Sequence, residues 1–126
     1  MTLEFRLLPA RYAVARLEPS AAIPEWALHG RFFSVTRTAE ELSIVCEEAN
    51  VPDDDNTVSR GWRCLVARGP FAFSLVGIAA EFTAVLARAG VSVLVISTYD
   101  TDCVLVPADQ ADRATSALCA AGHGVS

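Results

Sequence analysis

From Trp62 onward the chain runs through strand-like and helix-like patterns in one order: strand, helix, strand, strand, helix. Residues 62–68 alternate apolar and polar positions, as a half-buried strand does, until Gly69-Pro70 breaks the pattern. Ser74 is placed to cap a helix over 74–89, because its hydroxyl can accept from an orphan backbone N–H. Within that segment Ile78, Phe82, Val85, Leu86 and Ala89 recur at helical spacing and mark one buried face. Gly90 is suited to end the helix in a left-handed conformation. Residues 91–97 are almost wholly apolar and β-branched, which predicts a strand buried on both faces. Residues 103–106 give a further strand, and 107–121 an Ala-rich helix stopped by Gly122.

This order is the split βαβ pattern of a ferredoxin-like sheet, short of its last strand. The first half offers strands over 3–8 and 12–17, separated by the turn-prone Pro9-Ala10-Arg11. A short helix is predicted over 23–28, with Pro24 in its first turn, and strands over 32–36 and 42–46 follow, joined through Glu40 and Glu41. The polar, acidic stretch 47–56 reads as an exposed loop between halves. Residues 3–8 have no role in the first half and are expected to join strand 62–68, covering an otherwise open sheet edge. A faint repeat lays 35–45 over 96–106 without gaps, so that Glu41 falls on Asp102. The expected fold is therefore α+β and ferredoxin-like, with two interlocked βαββ half-domains and antiparallel sheets. The halves are expected at 1–60 and 61–126, the second completed by strand 3–8.

Composition narrows the function. The 126 residues are 52% apolar, enough for a substantial core. The formal net charge is −5 and every basic residue is a scattered Arg, which argues against a phosphate-tracking nucleic-acid surface. The most apolar region, 71–96, is interrupted by Glu81 and Arg88, so no membrane span is expected. No secretory signal is visible in Met-Thr-Leu-Glu-Phe-Arg, and cytoplasmic residence follows as the default. Cys46, Cys64, Cys103 and Cys119 are widely spaced and form no C-x-x-C pair, so structural burial is expected and a disulfide or metal role is not. His29 and His123 stand alone in the sequence. No nucleophile elbow, no Walker-type loop and no carboxylates paired beside a His are present, so neither catalysis nor a cofactor is expected.

Several strings together carry a resemblance: Glu25-Trp26-Ala27-Leu28, Phe33-Ser34-Val35-Thr36-Arg37-Thr38, Leu42-Ser43-Ile44-Val45-Cys46, Arg60-Gly61-Trp62-Arg63-Cys64, and residues 96–102. In these the chain resembles the small bacterial ACT-domain proteins, which are related to the ACT modules of the animal cytosolic arginine sensor. The resemblance implies a ferredoxin-like fold, dimerisation through sheets or helices, amino-acid binding at an interface between modules, and no catalysis. In such modules a Pro-Gly-type pair opens the first helix; Val76-Gly77 lies over it, with the Pro absent.

Two segments are candidate ligand-binding sites. The first is Leu75, Val76, Gly77 and Ile78, where Gly77 either packs the helix closely on the sheet or lets a carboxylate approach backbone N–H groups of residues 76–78. The second is Ser97, Thr98, Tyr99, Asp100 and Asp102, read either as an ordinary turn or as carboxylates for a ligand's ammonium or guanidinium group. Such a turn can lie near a neighbouring module's helix start, bringing both candidates to one ligand. The run Asp53-Asp54-Asp55-Asn56 lacks the alternating ligands and central Gly of a calcium loop and reads as a solvated loop. Trp26 and Trp62 read as core anchors, with Trp62, next to Arg60 and Arg63, read alternatively as the border of an interface. The leading reading is a regulatory module that binds an amino acid or similar metabolite and acts as a homodimer, without nucleic-acid or membrane partners. The alternatives are an interaction module without ligand, or an enzyme of unrecognised chemistry.

Overall fold

The structure, a computed structural model, describes residues 1–53, 57–72 and 74–126. Asp54, Asp55 and Asn56 of the acidic run lie outside the described residues. In chain order the elements are β1 (Glu4–Leu7), β2 (Tyr12–Leu17), β3 (Ser34–Arg37), β4 (Leu42–Glu47), β5 (Thr57–Ala67), α1 (Ile78–Arg88), β6 (Leu94–Ser97), β7 (Asp102–Pro107), α2 (Ala111–Ala120) and β8 (Gly124–Val125). Turns of 3₁₀ helix stand at Glu25–Leu28, Glu48–Asn50 and Ala108–Gln110. The chain divides into two compact units: Ala10–Trp62, and Met1–Pro9 together with Arg63–Ser126.

In the unit Ala10–Trp62, β4 pairs antiparallel with both β2 and β3, and β2 also pairs with the first residues of β5. The small residues Ala13 and Ala15 on one face of β2 pack with Ala27, Leu42, Ile44 and Cys46, all fully or almost fully buried. The helix expected over 23–28 is a 3₁₀ turn at Glu25–Leu28, with Pro24 before it and His29 extended after it. Trp26 packs half-buried against this core. Trp62 is also half-buried, its indole N–H donating to Ser59 Oγ at 3.0 Å.

In the other unit, β6 pairs antiparallel with β7, β7 pairs with β5, and β1 pairs antiparallel with β5 in the register Phe5↔Ala67 and Leu7↔Leu65. β1 thus supplies the fourth ferredoxin-like strand, and the two-residue β8, absent from the sequence reading, adds to it in parallel. Both helices cover one face, where Ile78, Phe82, Val85 and Leu86 of α1 meet Phe5, Leu65, Val104, Val106 and Leu118. Burying each such large apolar side chain contributes about 1.5–3 kcal/mol.

Three expectations need correction. α1 begins at Ile78, four residues after Ser74, and its N-cap is Gly77, with no side-chain cap. β6 is not buried on both faces: Leu94 and Val95 are 38% and 40% exposed, because β6 has β7 as its one strand neighbour among the described residues. The repeat is real in structure but shifted by one. Arg37 pairs with Leu42 as Ser97 pairs with Asp102, so Glu41 corresponds to Thr101 and not to Asp102. Each turn is closed by a threonine: Thr38 N–H donates to the Glu41 carbonyl, and Thr98 N–H to that of Thr101, both at 2.8 Å.

Candidate functional site

The start of α1 is set by backbone conformation. Gly77 sits at φ +87°, a left-handed geometry that L residues with a Cβ adopt at a cost. An added Cβ there would meet nothing within 4 Å, so the glycine does not serve close packing on the sheet. The first intrahelical bond runs from Glu81 N–H to the Gly77 carbonyl, so the N–H groups of Ile78, Ala79 and Ala80 have no intrahelical acceptor. The donors available to an anion are therefore those of residues 78–80, two positions beyond the 76–78 read from the sequence. Gly77→Ala is expected to cost about 1–2 kcal/mol through its left-handed φ alone, measured by urea unfolding. A neutral substitution would remove the conformational argument.

The β6–β7 turn is held on several sides. Thr98 Oγ1 accepts from Thr101 N–H at 3.2 Å, and Thr101 Oγ1 donates to the Ala67 carbonyl on β5. The Asp100 carbonyl accepts from Phe71 N–H at 2.8 Å, which ties the turn to the strap after Gly69. Gly69 is needed for this approach, since a Cβ there would overlap the Asp100 carbonyl oxygen and lie 3.2 Å from Phe71 N.

These constraints bring both candidate segments to one cleft of about 370 Å³ within a single unit. Leu75, Gly77, Ile78, Ser97, Thr98, Tyr99, Asp100 and Asp102 all line it, and no neighbouring module is needed to bring helix start and turn together. Val76 does not line it; its side chain is 81% exposed. The sequence reading missed Phe71, Ala72, Ala79 and Thr101. The two carboxylates differ: Asp102 Oδ1 accepts from Ser97 Oγ at 2.6 Å, whereas Asp100 is exposed and in no ion pair among the described residues. The cleft therefore has backbone donors at one end, a free carboxylate at the turn, and apolar walls from Leu75, Ile78 and Phe71.

Elsewhere in the same unit, His123 does not stand alone. Its side chain is fully buried; Nδ1 accepts the Leu3 N–H at 3.0 Å, so the neutral ring carries its proton on Nε2 and donates to Glu81 Oε1 at 3.1 Å. Cys46, Cys64 and Cys103 are buried and all four cysteines are free thiols. The hydrogen bond shared with Cys103, together with burial, pushes the Cys64 thiol up, and burial pushes that of Cys46 up, so both stay protonated. Among the described residues no cluster of ligands fit for a metal is found, and no helix is long and apolar enough to cross a membrane.

Residues 57–120 match the family model of the ACT domain, and residues 10–54 match a second family model described as an N-terminal domain. No curated protein matches the chain. Among solved structures, a protein of Agobacterium tumefaciens is 39% identical, with a TM-score of 0.94 over 100% of this chain and 93% of that one. A Vibrio cholerae protein of unknown function, described as a possible transport protein, is 22% identical with a TM-score of 0.77, covering 94% and 89%. The regulatory subunit of aspartate kinase from Thermus thermophilus is 13% identical with a TM-score of 0.66, covering 93% and 96%. At these identities the last two share the fold alone.

Proposed function

Because this chain belongs to the ACT-domain family, we propose that it is a cytoplasmic regulatory module that binds an amino acid in the α1–β6–β7 cleft and is not itself an enzyme. The observation that carries the reading is that one cleft holds opposite chemistries at its two ends. The orphan N–H groups of the α1 first turn and the helix dipole suit a carboxylate. The exposed Asp100 suits an ammonium or guanidinium group. Arginine, pointed to by the resemblance to the cytosolic arginine sensor, is the first ligand to test, because it carries both cationic groups.

The test is a thermal-shift screen of the proteinogenic amino acids. Ligand at a hundredfold over its dissociation constant adds about 2.7 kcal/mol to unfolding. For a chain of this size that is a rise of roughly 8–16 °C in melting temperature. Asp102→Asn keeps the Oδ1 acceptor for Ser97 and leaves the fold in place, whereas Asp100→Asn removes the free charge and is expected to lose most of the rise. If no amino acid shifts the wild type, the ligand-free interaction module becomes the better reading.

A homodimer belongs to the same proposal. The open edge of β6, with Leu94 and Val95 half-exposed, and the exposed Leu75, Val76 and Tyr99 beside the cleft are apolar surface that a second copy would cover. Sedimentation is expected to give a dimer at micromolar concentration. A monomer up to millimolar concentration would contradict it.

A further inference from the structure

A second cleft in the same unit, of about 390 Å³, lies between the β1–β5 pair and the Gly69-Pro70 strap, and its lining carries two guanidinium groups against one carboxylate. Arg6 on β1 is in register with Val66 on β5, and Arg68 follows two positions on, its N–H bonded to the Glu4 carbonyl at 2.8 Å. Arg6 and Arg68 are therefore diagonal cross-strand neighbours on the sheet face away from Phe5 and Ala67, at a separation of roughly 7–8 Å between backbones, within reach of one small group. Both side chains are exposed, and an anion held between two cations at this spacing is attracted to each.

Neither guanidinium is in an ion pair with an acid among the described residues. Arg6 makes no hydrogen bond or ion pair among the described residues. Arg68 reaches only Ser126 Oγ, at 3.4 Å. Glu4 shares their face, but its carboxylate lies against Gly124 and does not line the cleft. Asp100 is the one acid in the lining, and it borders the first cleft as well. In a chain whose net charge is −5, a cleft that keeps two unneutralised guanidinium groups together is a local inversion of sign.

We infer that this second cleft binds the anionic group, carboxylate or phosphate, of a small ligand between Arg6 and Arg68. The planar guanidinium fork matches both anions through paired N–H···O bonds. The inference does not rest on amino-acid binding in the first cleft.

The test titrates the full chain with orthophosphate and with succinate in separate arms, following melting temperature against sodium chloride at matched ionic strength. One arm is expected to raise the melting temperature in a saturable way beyond chloride, and the arm that does so identifies the anion. Arg6→Gln and Arg68→Gln are each expected to weaken the apparent affinity roughly tenfold or more, because each loses a charge-assisted hydrogen bond to the anion. Arg6→Lys, which keeps the charge and loses the fork, is expected to fall between. If neither anion exceeds chloride, the inference is wrong. The same holds if the rise persists undiminished in the Arg6→Gln/Arg68→Gln double variant, since the anions then act by general exclusion from the surface.

Discussion

Replacing His123 with alanine is expected to destabilise the chain by about 2–4 kcal/mol. The imidazole accepts the buried Leu3 N–H through Nδ1 and donates to Glu81 through Nε2, at 3.0 and 3.1 Å. Alanine leaves the Leu3 N–H unpaired out of reach of water, which alone costs about 1–3 kcal/mol. The ring also packs edge-on against Phe5, with centroids 6.2 Å apart, and its removal opens space in the core beneath β1. The end of α2 places it there: Gly122 at φ +94° lets the His123 N–H reach the Leu118 carbonyl at 3.0 Å. Urea unfolding is the measurement, with a lower midpoint and an unchanged slope expected. A change below about 0.5 kcal/mol, the range of ordinary surface substitutions, would show that His123 is not structural.

The second large effect is expected at Gly69. Alanine there places a Cβ against the Asp100 carbonyl oxygen and near Phe71 N, so either the strap or the β6–β7 turn must move. Such overpacking costs about 1–3 kcal/mol. The turn carries Asp100 at the mouth of both clefts, so the amino-acid response is expected to fall with stability, although Gly69 lines only the second cleft. Stability loss with an undiminished amino-acid response would mean that the turn does not shape the site.

The interior face of α1 was legible because Ile78, Phe82, Val85 and Leu86 keep helical spacing against one core. Its start was not. Ser74 is a good cap by type, but the left-handed φ at Gly77 sets the first turn, and a glycine's φ leaves no trace in composition. The run 91–97 reads as a central strand because apolar periodicity carries no record of position within a sheet; at an edge, the same residues stay half-exposed. The repeat was visible but misaligned by one residue, since matching by residue type placed acid on acid, whereas the strand register pairs threonine with threonine. The two candidate segments were both named from the sequence, and their meeting in one cleft follows from the antiparallel β6–β7 hairpin and its tie to Phe71. His123 with Glu81 could not be found this way. The two residues are 42 positions apart, and only the fold brings them together.

The most direct test of the central claim is a two-dimensional amide correlation spectrum of the full chain, titrated with the amino acid that most raises its melting temperature. Saturable shifts concentrated at Gly77, Ile78, Ala79 and residues 98–102, lost in Asp100→Asn, are the predicted result. Shifts confined to residues outside the α1 start and the β6–β7 turn, or the same shifts undiminished in Asp100→Asn, would contradict it.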